Sequence, residues 1–226
     1  MMIIFCTGVK GMGSVTEQKP EKMKYLALGD SYTICEGLKP SDRWPVQLVR
    51  NLKKYGLLFD HPQIIAKTGW TTDELAAQLE KDSIHASYDL VSLLIGVNNQ
   101  YRGRSLQNYR EEFVALLLKA IGYASGVPGN VIVISIPDYG VTPFASERNP
   151  RKISSELDQF NAANKEIAAE YAVQYVDITP VSRLTKADST MLATDQLHPS
   201  AKMYSRWVDL INPVVINIFN KSDDQR

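Results

Sequence analysis

Five short apolar runs constrain this chain more than any other feature, because each is shorter than a core helix and is separated from the next by a stretch of helical periodicity. Tyr25 to Leu28, Ile64 to Ala66, Leu90 to Ile95, Val131 to Ile136 and Tyr175 to Val176 read as strands. Between them, Pro45 opens a helix with Leu48, Leu52 and Tyr55 on one face and Gly56 as its stop. Thr71 and Glu74 form a capping box for a helix running to Lys81. After the third strand comes a polar loop, then a helix from Ser105 that carries Tyr109, Phe113, Leu116, Leu117 and Ala120 on one face and is closed by Gly126 and Pro128. Leu157, Phe160, Ile167 and Tyr171 mark a fourth helix, and a last one begins near Ser200. Strands alternating with helices in this way predict an α/β fold: a five-stranded parallel sheet covered by helices on both faces, in three layers. Ligands in such sheets bind beyond the carboxyl ends of the strands.

With 226 residues, the chain suits one domain. Twenty-five basic residues balance twenty-five acidic ones, so there is no cationic footprint for nucleic acid or an anionic membrane. No apolar run approaches the length of a membrane-spanning helix. Cys6 and Cys35 lack Cys-x-x-Cys spacing and His61, His85 and His198 are far apart, so neither a metal nor a cofactor is expected. Residues 1–22 read as a flexible leader ahead of a domain spanning 23–226. The leader's apolar start is too short for a complete export signal but compatible with a truncated one, which leaves the compartment open between cytoplasm and export. Oligomeric state is not legible. Gly11-Met12-Gly13 precedes the first strand, whereas a dinucleotide fingerprint must follow one.

Gly29-Asp30-Ser31 follows the first strand directly and holds Ser31 in a strand-to-helix turn at the ligand-binding edge. A serine hydroxyl is a weak nucleophile until a base takes its proton. Asp195 and His198, spaced by three between the fifth strand and the last helix, supply a base and a carboxylate to orient it. A second Asp-x-x-His pair, Asp82 and His85, ends the helix before the third strand, at the opposite edge from Ser31. Acyl transfer also needs donors for an oxyanion. The Ser31 and Gly69 backbone amides and the Asn98 side-chain amide stand on loops at the same rim, although a lone loop Gly or Asn is more often plain turn chemistry.

Ser31, Gly69, Asn98 and His198, each from a separate block and in this order, resemble the SGNH (GDSL-type) hydrolase family over roughly Lys24 to Phe219. The resemblance implies a flavodoxin-like fold, hydrolysis of small carboxylic esters or thioesters without metal, and an acyl-enzyme on Ser31. Tyr32 stands where Leu often follows the serine, and Asn99 where Asp is usual, so the contacts that Asp makes in relatives are in question.

Three rival readings are weaker. An α/β-hydrolase would need Gly at position 33, where Thr33 stands. A flavin-binding flavodoxin-like module could use the Ser31 and Thr33 hydroxyls but leaves Asp195 and His198 without a task. A receiver-type module would want Asp where Asn98 and Asn99 stand. The residues next to the blocks, Asp30, Trp70, Tyr101 and Arg102, are candidates for substrate binding, and Trp44, Trp70, Tyr139 and Phe144 for an acyl pocket. Esterase or lysophospholipase-like action, acyl thioesterase action and carbohydrate deacetylation all fit one such site.

Overall fold

A computed structural model of the chain describes residues 22–82, 84 and 86–223. The leader expected over 1–22 therefore lies, except for Lys22, outside the described residues, and so does His85. The five expected strands form one parallel sheet: β1 (Tyr25–Gly29), β2 (Gln63–Ala66), β3 (Leu90–Leu94), β4 (Val131–Ile134) and β5 (Gln174–Val176), in the order β2-β1-β3-β4-β5. Every residue of the three inner strands is buried, which is why YLALG, LVSLL and VIVI are nearly continuous apolar runs. The exception, Ser92, shares a 2.8 Å hydrogen bond with the Tyr25 hydroxyl. The edge strands β2 and β5 are partly exposed.

The helices are α1 (Ser31–Ile34), α2 (Trp44–Leu52), α3 (Thr72–Asp82), α4 (Val97–Tyr101), α5 (Leu106–Tyr123), α6 (Pro150–Glu170), α7 (Thr179–Ser182) and α8 (Ala201–Asp223). Right-handed crossovers put α2 on one face and α3, α5 and α6 on the other. Accordingly α2 packs on α8, while α5 packs on both α3 and α6. Each start follows from local chemistry. Ser105 accepts from Asn108 N–H at the head of α5, and Asn149 accepts from Lys152 N–H at the head of α6. At α3, Glu74 accepts from Thr71 N–H at 2.9 Å, one half of the expected capping box.

Three expectations shift. The polar stretch after β3 is not a loop but the short helix α4. Val131 to Ile136 pairs only as far as Ile134, because the Ile136 amide donates instead to Asn161 Oδ1 at 2.7 Å. The first long helix tightens into a 3-10 turn over Lys53–Tyr55 before Gly56.

Between β3 and α4, Gly96 has φ of 127°, and a Cβ there would lie 2.6 Å from the Tyr109 hydroxyl and 2.7 Å from its ring. That hydroxyl is pinned between Ile95 O at 3.0 Å and Asn164 Oδ1 at 2.7 Å, so it cannot retreat cheaply. Gly96→Ala combines backbone strain with overpacking and is expected to destabilise the fold by about 2–4 kcal/mol. Calorimetry should show Tm lower by roughly 5–15 °C for a domain of this size.

Candidate active site

The β1 strand delivers Ser31 to the sheet's carboxyl edge as the first residue of α1. Asp30 caps that helix, its Oδ1 accepting the Tyr32 N–H at 3.0 Å. Burial pushes the Asp30 carboxyl up to about 7, against the N–H groups of Tyr32 and Gly96, which favour its ionised form. Asp30 is fully buried beneath the turn and does not line the cavity beside Ser31. Its expected contact with substrate is therefore corrected: its work is to shape the serine turn.

The histidine arrives from the far end of the sheet on a loop closed like a small hairpin. Leu192 and Pro199 form an antiparallel bridge, Ala193 N–H donates to His198 O at 2.8 Å, and Ser200 N–H to Met191 O at 2.8 Å. Inside it, Asp195 Oδ1 accepts the N–H groups of Leu197 and His198, both at 3.0 Å, and Oδ2 lies 2.6 Å from His198 Nδ1. Partial burial works against the charged Asp195, but its bonds from His198 and the two backbone amides outweigh that, and the carboxyl is held below its usual range. Tyr32 joins the two loops: its ring meets His198 edge-on at 5.6 Å, and its carbonyl accepts from the Tyr204 hydroxyl of α8 at 3.1 Å.

Ser31 and His198 open onto one cavity of about 140 Å³, which Tyr32, Thr68, Gly69, Val97, Asn98, Tyr101, Tyr139, Phe144 and Leu197 also line. Both are nearly buried, Ser31 at 5% and His198 at 8% exposure. No hydrogen bond joins them in this structure; in free enzymes such bonds are commonly long and tighten only around substrate. Gly69, with φ of 88°, faces the cavity from the loop after β2. Asn98 faces it from α4, one of its amide hydrogens already given to Trp70 O at 2.9 Å. Asn99, fully buried, clamps the chain two residues further on: its Oδ1 accepts the Thr72 N–H at 3.1 Å and its Nδ2 donates to Thr72 Oγ1 at 2.6 Å.

The structure thus brings Ser31, Gly69, Asn98, Asp195 and His198 to one place. It sorts the other candidates differently. Tyr101, Tyr139 and Phe144 form an aromatic wall, with the Arg148 guanidinium 4.8 Å from the Tyr101 ring centre and 5.1 Å from that of Phe144. Trp44 is a core residue, fully buried, its indole N–H bonded to Tyr32 O at 3.1 Å, so its expected place in an acyl pocket is corrected. Trp70 and Arg102 stand outside the lining; Arg102 instead donates to Gly69 O at 2.6 Å. Thr68, Val97 and Leu197 escape sequence reasoning, although each is next to a block residue. Among the described residues, no three His, Cys, Asp or Glu side chains gather in a way that could hold a metal ion, and no helix is long and apolar enough to cross a membrane.

Comparison with known proteins places the chain in a family. Residues 27–206 match the model of the GDSL-like Lipase/Acylhydrolase family. An acetylxylan esterase from Geobacillus stearothermophilus is 28% identical over 196 residues, covering 78% of this chain and 86% of that protein. Among solved structures, Axe2, an acetylxylan esterase from the same organism, superimposes with a TM-score of 0.61 at 22% identity, covering 87% of this chain and 93% of its own. The psychrotrophic esterase EstA from Pseudoalteromonas sp. gives a TM-score of 0.62 at 18% identity, covering 88% and 100%. At these identities the structures speak for the fold, whereas the family match spans most of the chain. The chain belongs to the GDSL-like lipase/acylhydrolase family and is a carboxylic ester hydrolase.

Proposed function

We propose that Ser31, His198 and Asp195 hydrolyse esters of small acyl groups, acetyl esters among them, through an acyl-enzyme. The observation that carries this reading is the single cavity onto which Ser31 and His198 both open, with Asp195 bonded to the far nitrogen of the imidazole. His198 Nε2 takes the Ser31 proton as Oγ attacks the ester carbonyl. Asp195 fixes the tautomer with Nδ1 protonated and stabilises the imidazolium. The negative charge that moves onto the carbonyl oxygen is met by the Ser31 and Gly69 amides and by the second hydrogen of the Asn98 amide. The alcohol leaves with the proton from His198. Water, deprotonated by the same nitrogen, then releases the acid and restores Ser31.

Small acyl groups are favoured by the size of the cavity, about 140 Å³, in the range of an apolar cavity that holds one benzene ring. The acetylxylan esterase relative supports an acetyl group, and the aromatic wall supplies apolar contact beside it.

Ser31→Ala should remove turnover of 4-nitrophenyl acetate while the thermal melt stays within a few degrees of the parent, since a hydroxyl at the rim contributes little packing. Retained hydrolysis would exclude the nucleophile. In the parent enzyme, kcat/KM across acetyl, butanoyl, octanoyl and dodecanoyl esters should be highest for the short chains; a maximum at octanoyl or beyond would rule out a small-acyl site.

Asp195→Asn is the sharper test of the base. The asparagine keeps Oδ1 for the two backbone amides, so the loop survives, but presents an N–H to Nδ1 and forces the other tautomer. A fall in kcat of about 10³–10⁴-fold is expected, with an unchanged far-ultraviolet spectrum. Because the Asp195 carboxyl is held low, its ionised form is present above the ordinary carboxylate value and is lost only as pH drops through that lowered value. Activity at neutral pH should therefore show no titration belonging to Asp195.

A further inference from the structure

Four consecutive residues where the β2–α3 connection enters α3, Gly69 to Thr72, are held by side chains from α4 and its C-terminal end or from the first turn of α3. Asn98 Nδ2 donates to Trp70 O at 2.9 Å, Glu74 Oε2 accepts from Thr71 N–H at 2.9 Å, and Asn99 clamps Thr72. All three grip the chain after Gly69. Only Arg102, among the described residues, reaches Gly69 with a hydrogen bond from its side chain: its Nη2 donates to Gly69 O at 2.6 Å while its Nη1 lies 3.3 Å from Glu74 Oε1. The other end of the residue is fixed as well, because the Arg102 N–H donates to Asn98 O at 3.0 Å.

We propose that Arg102 is a positioning residue, a strut that sets the distance and orientation between the Gly69 amide and the Asn98 side chain. The inference rests on the reading of those two groups as oxyanion donors. Glycine at φ of 88° sits in a region where neighbouring backbone conformations are open to it, with no side chain of its own to restrain it, and the turn bond that spans it, Trp70 N–H to Lys67 O, is 3.2 Å long. A Cβ at Gly69 would find its nearest heavy neighbour, Arg102 Nη2, 3.9 Å away, so packing does not fix this residue either. The shorter bond from Arg102 to its carbonyl, added to that turn bond on the same peptide plane, limits rotation about its Cα–C bond and, with it, the aim of the loop. Preorganised donors are effective because they need no reorganisation when charge develops. Loosening one of them affects the transition state and leaves the ground state nearly untouched. Arginine suits the task because its planar fork serves the carbonyl and the Glu74 carboxylate at the same time, which an ammonium serves less well.

The test is a kinetic comparison of Arg102→Ala, Arg102→Lys, Asn98→Ala and the Arg102→Ala/Asn98→Ala double variant with 4-nitrophenyl acetate, with Ser31→Ala measured beside them. Arg102 is 43% exposed at its side chain, so its loss should move Tm by no more than about 2 °C. Arg102→Ala should lower kcat by about 10–100-fold with KM within twofold, since small misplacement of a reacting geometry costs that much. Arg102→Lys should recover part of the loss. In the Asn98→Ala background, Arg102→Ala should cost far less than in the parent, because a strut between two donors is idle once one is gone. A kcat within twofold of the parent overturns the proposal. So does a raised KM at unchanged kcat, which would make Arg102 a substrate contact, and so does full additivity with Asn98→Ala. If Ser31→Ala itself retains turnover, the nucleophile reading fails, a separate outcome from failure of the strut.

Discussion

The site depends on one topological constraint, the reversal of direction between β1 and β3. From β1 the chain first crosses to β2 on one side, then returns past β1 to β3 and continues to β4 and β5. The loops leaving β1 and β3 consequently diverge to opposite faces of the sheet, and a crevice opens between them at the carboxyl edge. Ser31 leaves β1 on one lip, and Asn98 leaves β3 on the other. The Gly69 connection, coming from β2, closes one end of that crevice, and the histidine loop, coming from the far edge, closes the other. No single element contains the site, so the apolar inner strands carry a functional burden as well as a structural one: any shift in their register would displace the lips relative to each other.

Polar groups at this rim are held against burial by bonds whose direction matters. Asn99 is an example. Its amide donates to the Thr72 hydroxyl, whose own proton goes to Glu112, and Arg104, paired with Asp73 at 2.7 Å, also lies 3.6 Å from the Glu112 carboxylate that ends the chain. A donor at the start of the chain lets every member be satisfied with one negative charge at its end. An ionised aspartate at that position would instead compete with Glu112 for the single Thr72 proton. The neutral amide is thus consistent with its surroundings, whatever relatives place there.

Much of this architecture was legible in the residues. The inner strands were visible because burial on both faces demands uninterrupted apolar runs, and the helices because their buried residues recur at helical spacing. The block residues could be placed at one rim because a strand's carboxyl end fixes where the next residues must be. What escaped was side-chain direction. Asp30 stands next to Ser31 in sequence and faces the opposite way, and Trp44 looks like a pocket aromatic until the packing of α2 on α8 shows it inside the core. Arg102 reads as a substrate contact beside Asn98 until the Gly69 carbonyl is seen within its reach. Such directions are decided by contacts between segments far apart in the chain. The helix α4 is hidden for a related reason: five residues, Val-Asn-Asn-Gln-Tyr, are too few to show a period, and their helical turn is steadied by what Asn98 and Asn99 grip.

Asp195 and His198 are three residues apart, and their bonds to each other and to the backbone lie within one hairpin-like loop. The imidazole and its carboxylate partner are therefore tied to one loop and to each other. Any displacement of this loop changes the gap between the imidazole and Ser31 but leaves the tautomer, and the charge that supports it, as they were. With the proposed nucleophile, its donors and its base on four separate loops, the coordinate along which such a site can be tuned is then a single distance, and the ring of Tyr32, edge-on to His198 at 5.6 Å, braces the histidine side of it.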